Sequence, residues 1–336
     1  MTSMILVVNA GSSSVKVAGY NTSNGEQTYK TTINTVTTYK LALKQALADV
    51  RGNVVGIGYR VVHGGQYKTA QVVTPEVLEA IVAAAKYAPL HNPPAVEAIT
   101  ILQKLYPHAK HVAVFDTAFF AVLPERTTSY ALPEGLRQEY RRVGYHGISH
   151  QNVANQYPYG DVISVHLGSG CSVAALENGQ PVDTSMGFGT YDGVVMGTRS
   201  GQIDPEVVLD LARRFGVDEA RTILTTKSGM AGVAEMPNDF RAIWETALNG
   251  NDQGQAMTAF ALFTRSVAKN IGALLTAFEP AGSNAKVVFT GGIAENSLSM
   301  RDAVMVRLGG LVNQDYAVVK CDEEHVIYEI VKGLLK

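Results

Sequence analysis

The sequence predicts an α/β protein built from two similar domains, and three observations support this. Apolar runs rich in β-branched residues alternate with segments of helical periodicity, as in α/β folds. The 336 residues are enough for roughly two domains. A strand, a glycine–serine turn and a second strand at 5–18 recur at 163–175, with Asn9 and His166 at matching places. We therefore expect a duplicated fold whose two hairpins face a common cleft.

Apolar runs bounded by turn residues predict the strands. Each run is rich in β-branched residues, which fit a pleated and partly buried surface. In chain order the runs are Ile5–Val8, Val54–Ile57, His111–Phe115, Val162–Val165 and Val287–Thr290.

Capping residues predict where the helices between these strands begin. Thr74–Glu76 and Asp204–Glu206 each combine an N-cap residue with proline at the first helical position. The longest helix is expected from about Gln255 to Phe278, before Pro280 stops it. The apolar residues after the two capped starts recur at helical spacing, which gives each predicted helix one apolar face, and they are Val77, Leu78, Ile81, Val82, Val207, Val208 and Leu211.

The composition excludes several classes of partner. A net charge of −2 offers no basic footprint, so neither nucleic acid nor an anionic membrane is an expected partner. No apolar stretch approaches the ~18 residues that cross a bilayer, and the N-terminus does not resemble a signal peptide. Cys171 and Cys321 have neither CxxC nor metal-ligand spacing, so we expect reduced thiols in a cytoplasmic protein.

Glycine-rich turns are the candidates for phosphate binding. In Asn9–Lys16 (NAGSSSVK), backbone amides freed by glycine and three hydroxyls, including that of Ser12, precede a lysine. His166–Gly170 (HLGSG) repeats this plan, although an ordinary serine-rich hairpin remains the alternative for the first copy. Phe289–Asn296 (FTGGIAEN) predicts a strand that turns into a helix beside a nucleotide, or a plain strand-to-helix connection.

Isolated polar residues in glycine-rich or apolar surroundings are the other candidates. Arg60 and Arg199 are flanked by glycines, which suits bidentate contact with a carboxylate or phosphate; the alternative is that each satisfies loop carbonyls. Asp116 ends an apolar strand, where it would hold a divalent cation with Asn9 or cap the next turn.

The histidines are not expected to bind metal, because no pair has a recognised ligand spacing. Gly147, between His146 and His150, favours a turn over a helix. We expect a hydrogen-bonding or charge role for His146 and a packing role for His150.

Taken together, these segments resemble the acetate kinase (acetokinase) family. The motifs occur in the family's order along nearly the whole chain, and they are NAGSSSVK, YRVVHGG, LHNPP, FDTAF, YHGISH, HLGSG, DTSMGF, MGTRSGQIDP, DFR and FTGGIAEN. The resemblance implies a duplicated ribonuclease-H-like (actin-like ATPase) fold, with two domains around a central nucleotide cleft. The first domain would span 1–147 and be rejoined by 322–336, and the nucleotide-binding second domain would span 148–321.

The resemblance also implies the reaction. The γ-phosphoryl group of ATP would pass reversibly to the carboxylate of acetate or a similar short-chain acid, with Mg²⁺, or Mn²⁺ in its place, in a homodimer. A carboxylate acceptor is already ionised at neutral pH, so catalysis would rest on positioning and on neutralising charge rather than on a strong base.

The resemblance assigns roles to individual residues. The catalytic residues it implies are Asp116, His146 and Arg199. The substrate-binding residues are Arg60, Val62, Leu90 and His91. The ATP contacts are Lys16, Ser12, His166, Leu167, Gly168, Ser169, Gly170, Asp239, Phe240, Arg241, Gly292, Ile293, Ala294, Glu295 and Asn296. The metal ligands are Asn9 and Glu323.

Some positions depart from the family pattern and leave alternatives open. Ser169 stands for the family's Asn, Ala294 for Gly, Tyr145 for Phe and Thr190 for Pro, and the first domain is shorter than usual. A propionate kinase, or a catalytically lapsed paralogue that binds nucleotide, is therefore an alternative. A sugar or glycerol kinase is a weaker one, since Arg60 is poorly suited to a neutral hydroxyl.

Overall fold

The computed structural model describes residues 2–11, 14–34, 36, 38–249, 253–280 and 284–336. Its strands are β1 (Ser3–Ala10), β2 (Ser14–Asn21), β3 (Gln27–Asn34), β4 (Asn53–Val61), β5 (Gln71–Val72), β6 (Lys110–Phe115), β7 (Asp161–Leu167), β8 (Cys171–Glu177), β9 (Gln180–Thr184), β10 (Lys286–Thr290) and β11 (Ala317–Val318). Its helices are α1 (Tyr39–Ala46), α2 (Pro75–Ala83), α3 (Asn92–Leu105), α4 (Glu125–Thr128), α5 (Glu134–Glu139), α6 (Gly147–Gln156), α7 (Pro205–Phe215), α8 (Val217–Thr226), α9 (Gly229–Ala234), α10 (Phe240–Asn249), α11 (Gln253–Leu274), α12 (Gly292–Asn296), α13 (Leu298–Leu308) and α14 (Glu323–Leu335).

Contacts divide the chain into two compact units. The first comprises residues 1–121, 145–152 and 322–336, and the second comprises 122–144 and 153–321. The segment 122–144 thus groups with the second unit, whereas the sequence-based boundary placed it in the first domain. Hydrogen bonds explain this grouping: Thr127 Oγ1 donates to the Val182 carbonyl, and the Phe188 N–H donates to the Tyr130 hydroxyl.

The sheet of the first unit has the order β3-β2-β1-β4-β6-β5. β1, β2 and β3 form an antiparallel meander, while β4 and β6 run parallel to β1. Alternate residues of β1 enter two cores, with Leu6 on the side of α1, α2 and α3 and Ile5 on the side of α14. Helix α14 lies close to the sheet, since a Cβ at Gly58 of β4 would be 2.5 Å from Ile327.

The sheet of the second unit repeats this plan. Its order is β11-β10-β7-β8-β9, in which β7, β8 and β9 form the meander and β10 and β11 run parallel to β7. Strand β7 therefore corresponds to β1, and β10 to β4. The duplication expected from the sequence is confirmed, and Asn9 and His166 occupy equivalent strand ends.

The predicted helix starts are confirmed. The Thr74 side chain accepts a hydrogen bond from the Val77 N–H at the start of α2, and the Asp204 side chain accepts one from the Glu206 N–H at the start of α7. No helix in the described ranges is long and apolar enough to span a membrane.

The apolar faces of α2 and α7 are not fully covered by the rest of the described chain. Val82 of α2 is 53% exposed and Val207 of α7 is 44% exposed. None of the residues of α7 is buried. Helical periodicity identifies an apolar face but does not say whether another element of the chain covers it.

Candidate active site

Strand register brings an arginine and two acidic residues together in the first unit. Arg60 on β4 lies opposite Val114 on β6, and Asp116, two residues further, falls on the same side of the sheet. Val114 packs in the core that α14 covers. Helix α14 begins with Glu323, and the carboxylate of this residue contacts the same arginine.

The Arg60 guanidinium contacts both carboxylates directly. Its Nη2 is 2.8 Å and its Nε 3.2 Å from Asp116 Oδ2, while its Nη1 is 3.0 Å from Glu323 Oε2. Asp116 is 1% exposed and Glu323 8% exposed. The positive charge of Arg60 stabilises these two buried carboxylates, because an uncompensated buried charge is strongly destabilising. We call Arg60, Asp116 and Glu323 the arginine–carboxylate cluster.

Buried hydrogen bonds fix the loop that follows Arg60. The fully buried Asn92 side chain accepts from the His63 N–H at 3.1 Å and donates to the His63 carbonyl at 3.0 Å. The Gly64 N–H donates to Thr117 Oγ1 at 3.1 Å, next to Asp116. These bonds hold the segment that carries Val62 between α3 and the turn after β6. Sequence reasoning did not assign roles to Asn92 or Thr117, although both lie in the quoted motifs LHNPP and FDTAF.

The residues predicted to form the acyl pocket are buried to different degrees. Val62 and His91 are half-buried, and His91 is the residue before α3, whereas Leu90 is 49% exposed. Tyr145 is buried, with its ring centroid 6.1 Å from that of His63. The residue that departs from the family pattern is therefore part of the packed interior of the first unit.

We expected a turn at Gly147, but this prediction is wrong, because Gly147 begins helix α6. The turn lies at His146, whose φ of 57° is in the left-handed region and whose carbonyl accepts from the His150 N–H. A Cβ at Gly147 would lie 1.9 Å from the Asp116 carbonyl oxygen. The glycine thus allows α6 to approach the Asp116 turn. His150 is fully buried, with its ring 5.8 Å from that of Phe120, which agrees with a packing role.

The predicted metal and phosphate residues of the first hairpin lie on one strand pair. Asn9 on β1 is half-buried and pairs with the exposed Lys16 on β2, so both side chains are on one face of the sheet. Ser12 lies outside the described residues. In the described part of the chain, no group of three or more His, Cys, Asp or Glu side chains is placed to hold a metal ion.

The donor set still fits Mg²⁺. This ion takes oxygen ligands, and in phosphoryl-transfer sites it is bound by one or two carboxylates together with substrate phosphates and water. Asp116 and Glu323 supply two carboxylates at one point, and Asn9 would supply an amide oxygen.

Two adjoining cavities in the second unit bring the predicted nucleotide segments together. The smaller, of about 350 Å³, is lined by Gly168, Ser169, Gly197, Met230, Asn238, Asp239, Phe240, Ile243, Phe263, Gly292 and Ile293. The larger, of about 760 Å³, is lined by Asp239, Phe240, Arg241, Trp244, Glu245, Gly292, Ile293, Asn296, Ser297, Leu298 and Ser299. Sequence reasoning missed Asn238, Trp244 and Ser297, which adjoin the DFR and FTGGIAEN segments. The two cavities are of the size that small ligands occupy.

Other residues predicted to contact ATP are close to the lining residues in the sequence. His166, Leu167, Gly170, Ala294 and Glu295 are not among the lining residues of these two cavities. The Glu295 carboxylate accepts hydrogen bonds from the N–H groups of Gly291 and Cys321. Gly291, at φ 89°, lies where a Cβ would be 2.7 Å from the Leu167 carbonyl oxygen. This contact brings the ends of β7 and β10 together.

Arg199 is held in a loop that joins the start of α9. The carbonyls of Met196 and Gly197 accept from the N–H groups of Met230 and Ala231, and Arg199 Nη1 donates to the Thr190 carbonyl at 2.7 Å. Burial lowers the pKa of Arg199, but an arginine remains charged near neutral pH. The guanidinium is therefore a fixed cation in the second unit.

Cys171 is buried directly after the glycine–serine turn His166–Gly170 of the second unit. Burial raises the pKa of its thiol to about 12, against smaller opposite effects of its hydrogen bond to the Gly168 carbonyl and of Arg199. The thiol is therefore protonated near neutral pH, and it is a packing group rather than a nucleophile.

Comparison with known proteins identifies the family. The family model described as the acetokinase family matches residues 35–328. The chain belongs to the acetokinase family. Among its relatives, acetate kinase 1 of Vibrio vulnificus strain CMCP6 is 37% identical over 92% of this chain and 87% of its own length. The acetate kinase of Deinococcus radiodurans is 38% identical over 91% of this chain and 86% of its own length.

Comparison with solved structures supports the assignment of the chain to the acetokinase family. A propionate kinase from Francisella tularensis superposes with a TM-score of 0.89 at 32% identity, over 98% of this chain and 99% of that one. Acetate kinase from Porphyromonas gingivalis superposes with a TM-score of 0.84 at 28% identity, over 99% of this chain and 100% of that one. A putative N-acetylmannosamine kinase from Listeria monocytogenes superposes with a TM-score of 0.54 over 99% of each chain. At 12% identity, this match shows a shared fold alone. The acetokinase chain therefore has the actin-like ATPase fold that we expected.

Proposed function

We propose that this acetokinase transfers the γ-phosphoryl group of ATP reversibly to the carboxylate of acetate, giving acetyl phosphate and ADP. The observation that carries the proposal is the arginine–carboxylate cluster, in which Arg60 meets Asp116 and Glu323 inside an acetokinase fold. Arginine binds carboxylates through paired N–H donors, so the acceptor acid would be oriented at Arg60.

The acceptor requires orientation rather than deprotonation. Acetate is ionised near neutral pH, so its oxygen attacks without a general base. Asp116, already paired with Arg60, then acts as an organiser of a metal ion or water and not as a proton acceptor. Val62, Leu90 and His91 would border the methyl end of the acid.

The donor would be held by the second unit. Gly168, Ser169 and Gly292 present little side-chain bulk at the smaller cavity, which suits close approach of backbone to phosphate groups. In the second unit we propose that His166 to Gly170 contact the phosphates and that Asp239 to Arg241 and Gly292 to Asn296 contact the nucleoside. The family resemblance also assigns ATP contacts to Lys16 and Ser12.

Divalent metal and fixed cations would offset the charge of the reacting phosphoryl group. When bound, Mg²⁺ neutralises charge on the phosphate oxygens. Asn9, Asp116 and Glu323 are the oxygen ligands proposed to hold it. His146 and Arg199 would stabilise the transition state. Removing one such preorganised group costs on the order of 3 kcal/mol, or about a hundredfold in rate.

The test is acyl phosphate formation trapped by hydroxylamine. MgATP and acetate are expected to yield acetyl hydroxamate, with reactions lacking acid as the control, and propionate and butyrate assayed in parallel. No hydroxamate with any of the three acids would refute the proposal. Tight calorimetric binding of ATP without turnover would then favour the catalytically lapsed paralogue.

A propionate kinase is the second candidate. The structural match to the Francisella propionate kinase and the exposed side chain of Leu90 both favour a pocket open to a longer acid. A higher kcat/KM for propionate than for acetate in the same assay would favour this candidate.

We also propose a homodimer in the cytoplasm. Val207, Leu211 and Phe215 recur at i, i+4 and i+8 on α7, a helix without buried residues, and such a stripe is typical of an interaction surface. Cys171 and Cys321 are not joined by a disulfide, in keeping with a reducing compartment. Sedimentation equilibrium measures the oligomeric state, and a monomer at micromolar concentration would contradict the homodimer.

A further inference from the structure

The chain has a single tryptophan, and it borders the larger cavity of the second unit. Trp244 lies on α10 and is half-buried. Its ring packs on the buried Phe260 of α11, with centroids 4.0 Å apart and an interplanar angle of 32°. The indole is therefore held in place by the α10–α11 contact while part of it lines the cavity.

Aliphatic side chains line the same cavity. Ile293 belongs to α12, and Leu298, at the start of α13, is 59% exposed. A cavity that combines an indole ring with aliphatic groups suits a flat heteroaromatic ligand, because every nucleobase has a π-face that can contact them. A charged pair adjoins this apolar part: Arg241 Nε lies 3.3 Å from Glu245 Oε1, and both side chains are largely exposed.

The indole and the glycine–serine turn line different cavities. Gly168 and Ser169 line the smaller cavity, and Trp244 and Leu298 line the larger one. Both cavities are lined by Asp239, Phe240, Gly292 and Ile293. A polyphosphate bound at Gly168 and Ser169 would thus extend its attached nucleoside towards Trp244.

We propose that Trp244 is the nucleobase-contacting, specificity-determining residue of the phosphoryl-donor site. This inference rests on the proposed function, since it assumes that the two cavities take the nucleotide. It assigns the donor to the nucleoside polyphosphates and excludes inorganic polyphosphate as an equivalent donor. A purine base, with its larger π-face, stacks more favourably on the indole than a pyrimidine.

The single tryptophan makes base contact directly observable. With excitation selective for tryptophan, the emission of Trp244 is titrated with ADP and separately with tripolyphosphate, which has the phosphates but no base. We expect ADP to change the emission and tripolyphosphate to leave it unchanged, and CDP to bind more weakly than ADP. An equal emission change with both ligands would overturn the proposal, because the ring would then respond to the phosphates.

Three variants separate base contact from packing on Phe260. Trp244→Ala is expected to raise the Kd for ADP about tenfold, measured by calorimetry, and to leave the Kd for tripolyphosphate within about twofold. Trp244→Phe, which retains a ring, is expected to recover most of the ADP affinity. Trp244→Leu keeps the apolar contact with Phe260 without an aromatic face, and serves if the alanine variant fails to fold. Tyr159→Ala, which removes an aromatic residue that is 85% exposed, is the control.

The outcomes distinguish this inference from the proposed function. Unchanged ADP affinity in Trp244→Ala and Trp244→Leu, or equal weakening of ADP and tripolyphosphate, would overturn the role of Trp244. A wild-type protein that shows the base-dependent emission change but forms no hydroxamate would retain the inference and lose the proposed reaction. In the active enzyme, the alanine variant is expected to raise the KM for ATP about tenfold with little change in the KM for acetate.

Discussion

Arg60 is the residue on which the charge balance of the first unit depends. Replacing it with alanine would remove the guanidinium that contacts the buried carboxylates of Asp116 and Glu323, which is expected to cost about 3 kcal/mol. We expect Arg60→Ala to lower the unfolding midpoint clearly, and Arg60→Lys, which keeps the charge but not the fork, to lower it less. Scanning calorimetry of the three proteins measures this, and an alanine variant as stable as wild type would contradict the interpretation.

Gly147 tests how tightly α6 approaches the Asp116 turn. A methyl group at this position overlaps the Asp116 carbonyl oxygen, so Gly147→Ala is expected to cost about 1 to 3 kcal/mol and to displace Asp116. Turnover in the hydroxamate assay should fall with it. Gly333→Ala on α14 is the matched control, because no atom lies within 4 Å of its Cβ, and it is expected to be neutral or slightly stabilising.

His111 makes the stability of the first unit depend on pH. Its Nε2 donates to the Tyr106 carbonyl at 3.0 Å, so in the neutral ring Nδ1 accepts from the Tyr59 hydroxyl at 2.6 Å. Burial lowers the pKa of His111, against a smaller opposite effect of the Tyr106 bond. A lowered histidine pKa contributes stability that is present above the ordinary pKa of about 6.5 and is lost as the pH falls through the folded-state value.

Thermal unfolding as a function of pH measures this contribution. We expect the wild-type midpoint to fall below about pH 6.5, and His111→Gln to flatten part of that decline. His108→Gln removes an exposed histidine from the same segment and is expected to leave the slope unchanged. An unaltered slope in His111→Gln would show that other groups cause the decline.

The sequence identified some of the candidate site residues but not all of their contacts. Flanking glycines and a strand end marked Arg60 and Asp116 as candidates from the sequence alone. The contact of Arg60 with Glu323 was not predicted, because it depends on where a distant helix docks. Asn92 lay in a motif already quoted, yet its two bonds to His63 depend on the burial of an amide, which local sequence does not report.

Helix α14 is the element that closes one face of the first sheet. Ile327 is fully buried against that sheet, so Ile327→Ala is expected to cost about 2 to 5 kcal/mol and to weaken the hold on Glu323. Leu334→Ala on the same helix alters a side chain that is 38% exposed and is expected to cost less than about 1 kcal/mol. Urea unfolding measures both, and equal losses would contradict this account.

Elements were predictable where their signals are local. Thr74 and Asp204 marked the starts of α2 and α7 through hydrogen bonds within one turn. The turn expected at Gly147 was wrong, because His146 adopts the left-handed conformation in its place. The apolar face of α7 was predictable from its spacing, but its exposure was not, since an apolar stripe does not show what covers it.

The duplication is the feature of the whole molecule that the sequence revealed best. Two glycine–serine turns in one order predicted two sheets of one plan, and the strand orders agree. The repeat did not predict that the two units carry different features. The first unit contains the arginine–carboxylate cluster, and the second contains the two cavities.

Nucleotide binding should therefore stabilise the second unit selectively. Saturation at a hundred times Kd adds about 2.7 kcal/mol by mass action. With ADP, hydrogen exchange is expected to slow at the amides of Gly168, Ser169 and Gly292, which line the cavities. Acetate alone is expected to leave these amides unchanged. Uniform slowing across both units, or none at the cavity amides, would contradict this expectation.

The position of α14 in the chain bears on how the protein is made. The sheet of the first unit is synthesised early, but the helix that covers Ile5 and Val7 follows the whole second unit. At 5 to 20 residues per second, the ribosome needs roughly ten to thirty seconds to pass from residue 152 to residue 322. During that interval an apolar sheet face is uncovered in the nascent chain, and Arg60 has yet to meet Glu323. Folding of the first unit is thus completed only after the second unit has been synthesised.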